Sequence, residues 1–258
     1  MPRAVFVKHD AEHYAATELA RGPWDLDAQH GGAPAALLAR AFEQAAAGEE
    51  LQFARLSYEF LRPVPLGVLR VEAAITRPGR RVQLLEGSIF SDDTEVVRAH
   101  ALRVHPASAP VAPPADSLPP PPSEGRSNDY PSEGQTVFAT DAMEIRFVAG
   151  KFMARGKATA WFRLRVQLIE GAEPTALERL AAAADFGNGI SSVLPWDEYL
   201  FINPDLTVYL ERPPAGEWIC LESSTRIGSG GVGLAESVLY DERGRIGRAT
   251  QALLVAAR

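Results

Sequence analysis

The chain has 258 residues, 46% of them hydrophobic, a formal net charge of −7 and a single cysteine, Cys220. This suits one or two ordinary globular cores, while the acidic balance without a basic run argues against a nucleic-acid partner and the lone cysteine excludes an intrachain disulfide. No stretch approaches the ~18 apolar residues of a membrane span and Met1 to Asp10 is too weakly apolar for a signal peptide, so the expectation is a cytoplasmic protein with no membrane partner.

In chain order, a short strand is predicted near Val5-Phe6-Val7, followed by an irregular stretch through Trp24-Asp25-Leu26-Asp27. The run from Gln29 to Phe42 opens with His30-Gly31-Gly32, carries Pro34 in its first turn and continues in alanine and leucine. That combination predicts a helix start, and its scarcity of polar residues predicts burial on most sides. Strand-like segments follow at Leu51 to Leu61, Val68 to Thr76, Val82 to Ser91 and Val96 to Val104. They are separated by turn residues such as Pro65-Leu66-Gly67, Pro78-Gly79 and Ser91-Asp92-Asp93.

Between His105 and Gln135 lie Pro119 to Pro122 in succession, with Pro106, Pro110, Pro113, Pro114 and Pro131. Proline lacks the backbone donor and fixes φ, so this piece is neither a central strand nor a helix. It reads as a polyproline-like connector or a mobile loop. The expected division is therefore 1–105, a linker over 106–135, and 136–258.

The second part follows the same order. Strands are predicted at Glu144 to Val148 and Ala158 to Gln167, a helix at Pro174 to Ala184, and a glycine-rich stretch at Asp185-Phe186-Gly187-Asn188-Gly189. Four strands follow: Asp205 to Glu211, Trp218 to Arg226, Gly233 to Tyr240 and Gly247 to Val255. Asp241-Glu242-Arg243-Gly244 supplies a hairpin turn.

The two parts also repeat in sequence. Leu56-Ser57-Tyr58-Glu59-Phe60-Leu61-Arg62-Pro63 answers Leu206-Thr207-Val208-Tyr209-Leu210-Glu211-Arg212-Pro213, and Val97-Arg98-Ala99 answers Gly247-Arg248-Ala249. A repeat this long reads as a duplicated domain. Each copy, one apolar helix and a set of antiparallel strands, predicts an α+β unit with a sheet wrapped around a central helix. Two such units can pair edge to edge and hide open strand edges.

Polar residues present in only one copy are the candidates for chemistry. Asp205 aligns with Arg55, and Gln251 with Ala101, or with His100 if the gap is moved by one; Thr225 aligns with Thr76 and is not distinctive by itself. An acid, a hydroxyl and a carboxamide on three strands of one sheet suit holding and deprotonating a water molecule. Each also has a plainer reading. Asp205 follows Asn203-Pro204 and can shape a turn, Thr225 is a common strand residue, and Gln251 can satisfy a backbone group. Gly31-Gly32 either lets the chain turn into the helix or offers bare amides to an oxyanion. No metal-ligand spacing, phosphate loop, dinucleotide fingerprint or serine elbow is present.

The run His30-Gly31-Gly32, the strand end Phe60-Leu61-Arg62-Pro63 and the run Asp205 to Pro213 with Gly216-Glu217-Trp218 resemble the double-hotdog acyl-CoA thioesterases of the thioesterase II branch. The resemblance spans nearly the whole chain outside the proline-rich stretch. It implies two tandem hotdog units, a water-based hydrolysis of acyl-CoA, no cofactor beyond the CoA of the substrate, and scope for a homo-oligomer. It assigns Asp205, Thr225 and Gln251 to the hydrolytic water; amides near Gly31-Gly32, or near Asn188-Gly189, are expected to polarise the thioester carbonyl. Leu206 and Glu211 stand where that family often has histidine. Two rival functions are a non-catalytic acyl-CoA-binding module and a hotdog hydratase or dehydratase. The latter wants a histidine beside an acid, and the chain from Gln135 onward has none.

Overall fold

The computed structural model describes residues 3–46, 50–107, 117–127 and 134–258. The first half contains β1 (Ala4–Lys8), β2 (His13–Ala16), α1 (Gly32–Ala45), β3 (Gln52–Phe60), β4 (Val68–Arg77), β5 (Val82–Ser91) and β6 (Thr94–Val104). The second contains β7 (Met143–Ala149), β8 (Ala158–Leu164), β9 (Gln167–Ile169), α2 (Ala176–Ala184), α3 (Gly187–Ile190), β10 (Tyr199–Ile202), β11 (Asp205–Leu210), β12 (Ile219–Ile227), β13 (Val232–Asp241) and β14 (Gly244–Ala257).

The sequence pattern accounts for both long helices. Pro34 sits where a helix has no intrahelical use for the amide, and Ala33, Ala35 to Ala39 and Phe42 are buried as the apolar run requires. α2 opens with a capping box: Thr175 Oγ1 accepts from the Glu178 amide, and Glu178 Oε2 accepts from the Thr175 amide. The helices run antiparallel. Thr175 donates to Glu43 Oε2 (2.7 Å) at one end of the pair, Arg40 meets the fully buried Glu178 (2.8 Å), and Gly32 lies against the Ala182 carbonyl at the other.

α1 packs on β4, β5 and β6, and α2 on β8 and β12, so each half is an antiparallel sheet around its own helix, the double-hotdog arrangement. The sheets join through antiparallel β3 and β11 into a 14-stranded whole, in the order β7-β8-β12-β13-β14-β11-β3-β6-β5-β4-β2-β1-β9, with β10 pairing β14 off this path. At the seam Ser57 lies opposite Thr207, the residue that matches it in the sequence repeat. Two equivalent strands crossing at an equivalent pair define a local two-fold axis, which puts like elements of the halves on opposite sides of one cleft. Both helices and both inner sheet faces share one continuous apolar core.

The structure departs from the sequence expectations in several places. The strand expected over Ala158 to Gln167 breaks after Leu164, because β9 crosses to the far end of the sheet and pairs in parallel with β1. The short strands β2 and β10 were not expected. The glycine-rich stretch after α2, given no element from sequence, contains a helical turn, Gly187 to Ile190. The prolines at 119–122 are docked rather than a free spacer. Pro121 is extended (φ −65°, ψ 160°), Trp161 Nε1 donates to the Pro120 carbonyl at 2.8 Å, and Arg126 bridges to Phe147. The proline-rich residues 108–116 and 128–133 lie outside the described residues. No helix among the described residues is long and apolar enough to cross a membrane.

Candidate active site

A cavity of about 460 Å³ opens at the junction of the two halves. The first half contributes residues between Gly22 and Gly31 and between Phe60 and Val64. The second contributes Phe152, residues between Asp185 and Gly189, and residues between Trp196 and Pro204. Its wall is mainly apolar. The rings of Trp24 and Trp196 stack at 4.7 Å and 10°, and Phe201 sets its edge against both, at 5.3 and 4.8 Å. A mostly apolar hollow with a few convergent polar groups is the usual form of a small-molecule site.

The polar groups converge on Asp185, the C-cap of α2, which is only 5% exposed. Its Oδ1 accepts from Asn203 Nδ2 (2.8 Å) and from Gln251 Nε2 (3.2 Å). Its Oδ2 lies 3.2 Å from His30 Nδ1. Burial raises the carboxyl to a pKa of about 7, against the lowering effect of hydrogen bonds from Asn203, the Gly32 amide and Gln251. The negative end of the α2 dipole acts in the same upward direction as burial. His30 is stacked against Phe186 (4.3 Å) and Phe138 (5.2 Å), and burial lowers its pKa to about 3.

Gln251 fixes the surroundings of the acid. Its Oε1 accepts from the Asn188 amide (3.1 Å), and its Nε2 also reaches the Asp185 carbonyl (3.2 Å). Asn188 Nδ2 donates in turn to the Phe201 carbonyl. Gly31 leaves room for the carboxylate: a Cβ there would stand 2.7 Å from Asp185 Oδ2 and 3.1 Å from the Phe60 ring. Gly31 has φ −58°, which alanine adopts freely, so Gly31→Ala acts through this collision and not through the backbone. The variant is expected to fold normally and to lose roughly 10²-fold in kcat/KM, the scale of an ångström-sized displacement of a reacting group. Steady-state kinetics beside a thermal melt check this.

The residues singled out from sequence are only partly brought together. Gln251 is buried, and Gly31, Asn188 and Gly189 line the cavity. The Gly32 amide is shared between His30 Nδ1, at 3.0 Å, and the Asp185 carboxyl, and the Asn188 amide is engaged by Gln251. Thr225 and Gln251 lie in one cross-strand row with Ala235 between them, but Thr225 Oγ1 shares a hydrogen bond with Ser191 Oγ (2.8 Å) rather than with the acid. Asp205 lies elsewhere. Leu206 and Val208 fill the inward face of β11, so Asp205 turns to the opposite face and accepts from the Ala252 amide at 2.6 Å, tying β11 to β14. Burial and nearby Glu59 raise its carboxyl while the Ala252 amide lowers it.

Asp185, Asn203 and His30 are the members that reading by strands missed. One signal was present for Asp185. An acid directly after Ala181-Ala182-Ala183-Ala184 stands at a helix C-terminus, the end that disfavours negative charge.

The comparisons agree with this architecture. The family profile of the acyl-CoA thioesterase N-terminal domain matches residues 20–104, and that of the acyl-CoA thioesterase C-terminal domain matches residues 114–255. Among solved structures, a conserved hot dog protein of unknown function from Alicyclobacillus acidocaldarius superposes with a TM-score of 0.74 at 16% identity, covering 99% of this chain and 97% of its own. An acyl-CoA thioesterase II from Mycobacterium marinum gives 0.68 at 15% identity, covering 98% and 96%. A tesB protein from Mycobacterium avium subs paratuberculosis gives 0.68 at 13%, covering 97% and 96%. These likenesses establish the fold. No curated protein matches the sequence. With profiles for both halves matched in order along most of its length, the chain belongs to the acyl-CoA thioesterase family.

Proposed function

We propose that the protein hydrolyses acyl-CoA thioesters to a carboxylic acid and free CoA, with Asp185 as the general base. The observation that carries this reading is a buried carboxyl held by neutral donors where an apolar cavity meets the N-terminus of α1. On this geometry the role that the resemblance assigned to Asp205 passes to Asp185, and Gln251, assigned there to the hydrolytic water, instead orients the acid. Asn203 supplies the second donor.

In the reaction, ionised Asp185 takes one proton from water as the oxygen attacks the thioester carbonyl. The carbonyl electrons move to oxygen, and the positive end of α1, where Gly31 lines the cavity, stabilises that charge. Collapse of the intermediate breaks the carbon–sulfur bond. The proton on Asp185 then goes to the departing thiolate, so acid and thiol are the products and the base is regenerated. The acyl group lies in the apolar part of the cavity, against Trp24, Trp196 and Phe152.

Release of free thiol from a panel of acyl-CoAs tests the reading; no release from any chain type contradicts it. The pH profile adds a second check. With the Asp185 pKa raised to about 7, kcat/KM is expected to rise with pH through about 7 and level off above it.

The His30–Asp185 contact favours one competing reading, a hydratase, because it supplies the histidine that the second half lacks. Enoyl-CoA substrates separate the two. Thiol release with the double bond retained supports hydrolysis, and loss of the double bond without thiol supports hydration.

A further inference from the structure

We propose that His30 sets the charge of Asp185: its unprotonated Nδ1 is the built-in acceptor for a proton on Asp185 Oδ2.

The Gly32 amide points at His30 Nδ1 from 3.0 Å and is shared with the Asp185 carboxyl. An N–H aimed at a ring nitrogen requires a lone pair there, so the ring proton sits on Nε2. Asp185 Oδ2 faces that same nitrogen at 3.2 Å. Two lone pairs at this distance repel, whereas a proton on Oδ2 turns the contact into an O–H···N hydrogen bond. The other oxygen is arranged for the opposite purpose. Oδ1 receives N–H donors from Asn203 and Gln251 and so keeps the carbonyl character of a neutral acid or the larger share of a negative charge. The carboxyl is thus polarised by its partners, with the proton assigned to the His30 side.

The ring is equipped to stay neutral while doing this. Phe186 and Phe138 stack on it, and little of it is exposed. Around the pair, α1 presents the Gly32 amide, the turn after α2 presents Phe186, the segment before β7 presents Phe138, the turn before β11 presents Asn203, and β14 presents Gln251. Asp185 is the one ionisable side chain in contact with the ring among the described residues. His30 is therefore a positioning residue and not the base. It gives the proton taken from water a defined place until the thiolate receives it. Only the effect on rate rests on the proposed hydrolysis; the charge of Asp185 does not.

The test is NMR on the full chain, with ¹⁵N-labelled histidine and ¹³C-labelled aspartate carboxyls. In the wild type, His30 is expected to show an unprotonated Nδ1 and a protonated Nε2 from about pH 5 to 8. His30→Phe keeps a ring between the two phenylalanines and removes the acceptor. Its Asp185 midpoint should fall by about one pH unit, the scale of one lost hydrogen bond to the neutral acid. His30→Asn returns an acceptor near the Nδ1 position and should restore much of that shift. The rising limb of the activity profile should follow the same order.

A protonated Nδ1 in the wild type overturns the proposal, and needs no variant to fold. So does an unchanged Asp185 midpoint in folded His30→Phe. If the carboxyl titration moves as stated while turnover ignores it, the inference about charge stands and the assignment of Asp185 as base fails.

Discussion

Asp185→Asn is expected to preserve the fold and to lower acyl-CoA turnover by ~10²–10⁴-fold, the usual worth of a positioned general base. The exchange is close to silent for the structure. The carboxamide oxygen can accept from Asn203 and Gln251 as Oδ1 does, and the new NH₂ can donate to His30 Nδ1. Asparagine thus copies the protonated acid and retains its hydrogen bonds, but cannot take a proton from water at neutral pH. A thermal melt close to the wild type alongside the rate loss separates chemistry from misfolding. Asp185→Ala is less informative, because it leaves the carboxamides of Asn203 and Gln251 without their shared acceptor.

The second large effect concerns stability against pH, where the two members of the buried pair oppose one another. Unfolded, the aspartate titrates near 3.8 and the histidine near 6.5; folded, they stand at about 7 and about 3. Between the two unfolded values, the unfolded pair carries its one proton on histidine and the folded pair carries it on aspartate. The proton counts are equal, so the wild-type pair adds no slope there. Single replacements remove the cancellation. In Asp185→Asn only His30 remains, with its folded pKa depressed. The unfolded chain binds the extra proton, and stability is lost as pH falls below about 6.5. In His30→Phe only Asp185 remains, with its folded pKa raised. The folded chain holds the extra proton, and stability is lost as pH rises above about 4 towards the folded midpoint. Each slope approaches ~1.4 kcal/mol per pH unit for a single proton. Urea unfolding of both variants and the wild type across this range should give opposite tilts relative to the wild type. Two curves parallel to it contradict the exchanged-proton arrangement.

Much of the fold could be read before the structure. Internal repetition announced two like halves, and the seam falls on it, with Ser57 opposite Thr207. Strand-like segments bounded by turn residues located the long strands, and the alanine-rich run located α1. The misses are short or long-range elements. Strands β2, β9 and β10 have three or four residues each and are fixed by partners distant in sequence, which local periodicity does not reveal. The docked prolines depend on Trp161, a partner in another part of the chain.

The site was less legible for the same reason. Gln251 stood out because its counterpart in the first copy is Ala101, and it is buried beside the acid. Asp205 drew attention because its counterpart is arginine, yet the alternation Leu206, Val208 already turned it away from the core. Asp185 was hidden at the start of a glycine-rich run to which no element was assigned. His30 lies in the other half of the chain and meets Asp185 only because the two helices are antiparallel. No local spacing encodes that contact; the pairing of the halves does.

The most direct test of the account is thiol release from acyl-CoA by the wild type, Asp185→Asn and Asp205→Asn, measured together above pH 7. The account predicts hydrolysis by the wild type, a rate within a few-fold of it for Asp205→Asn, and a fall of ~10²-fold or more for Asp185→Asn. Near-normal release by Asp185→Asn, or collapse confined to Asp205→Asn, would contradict it.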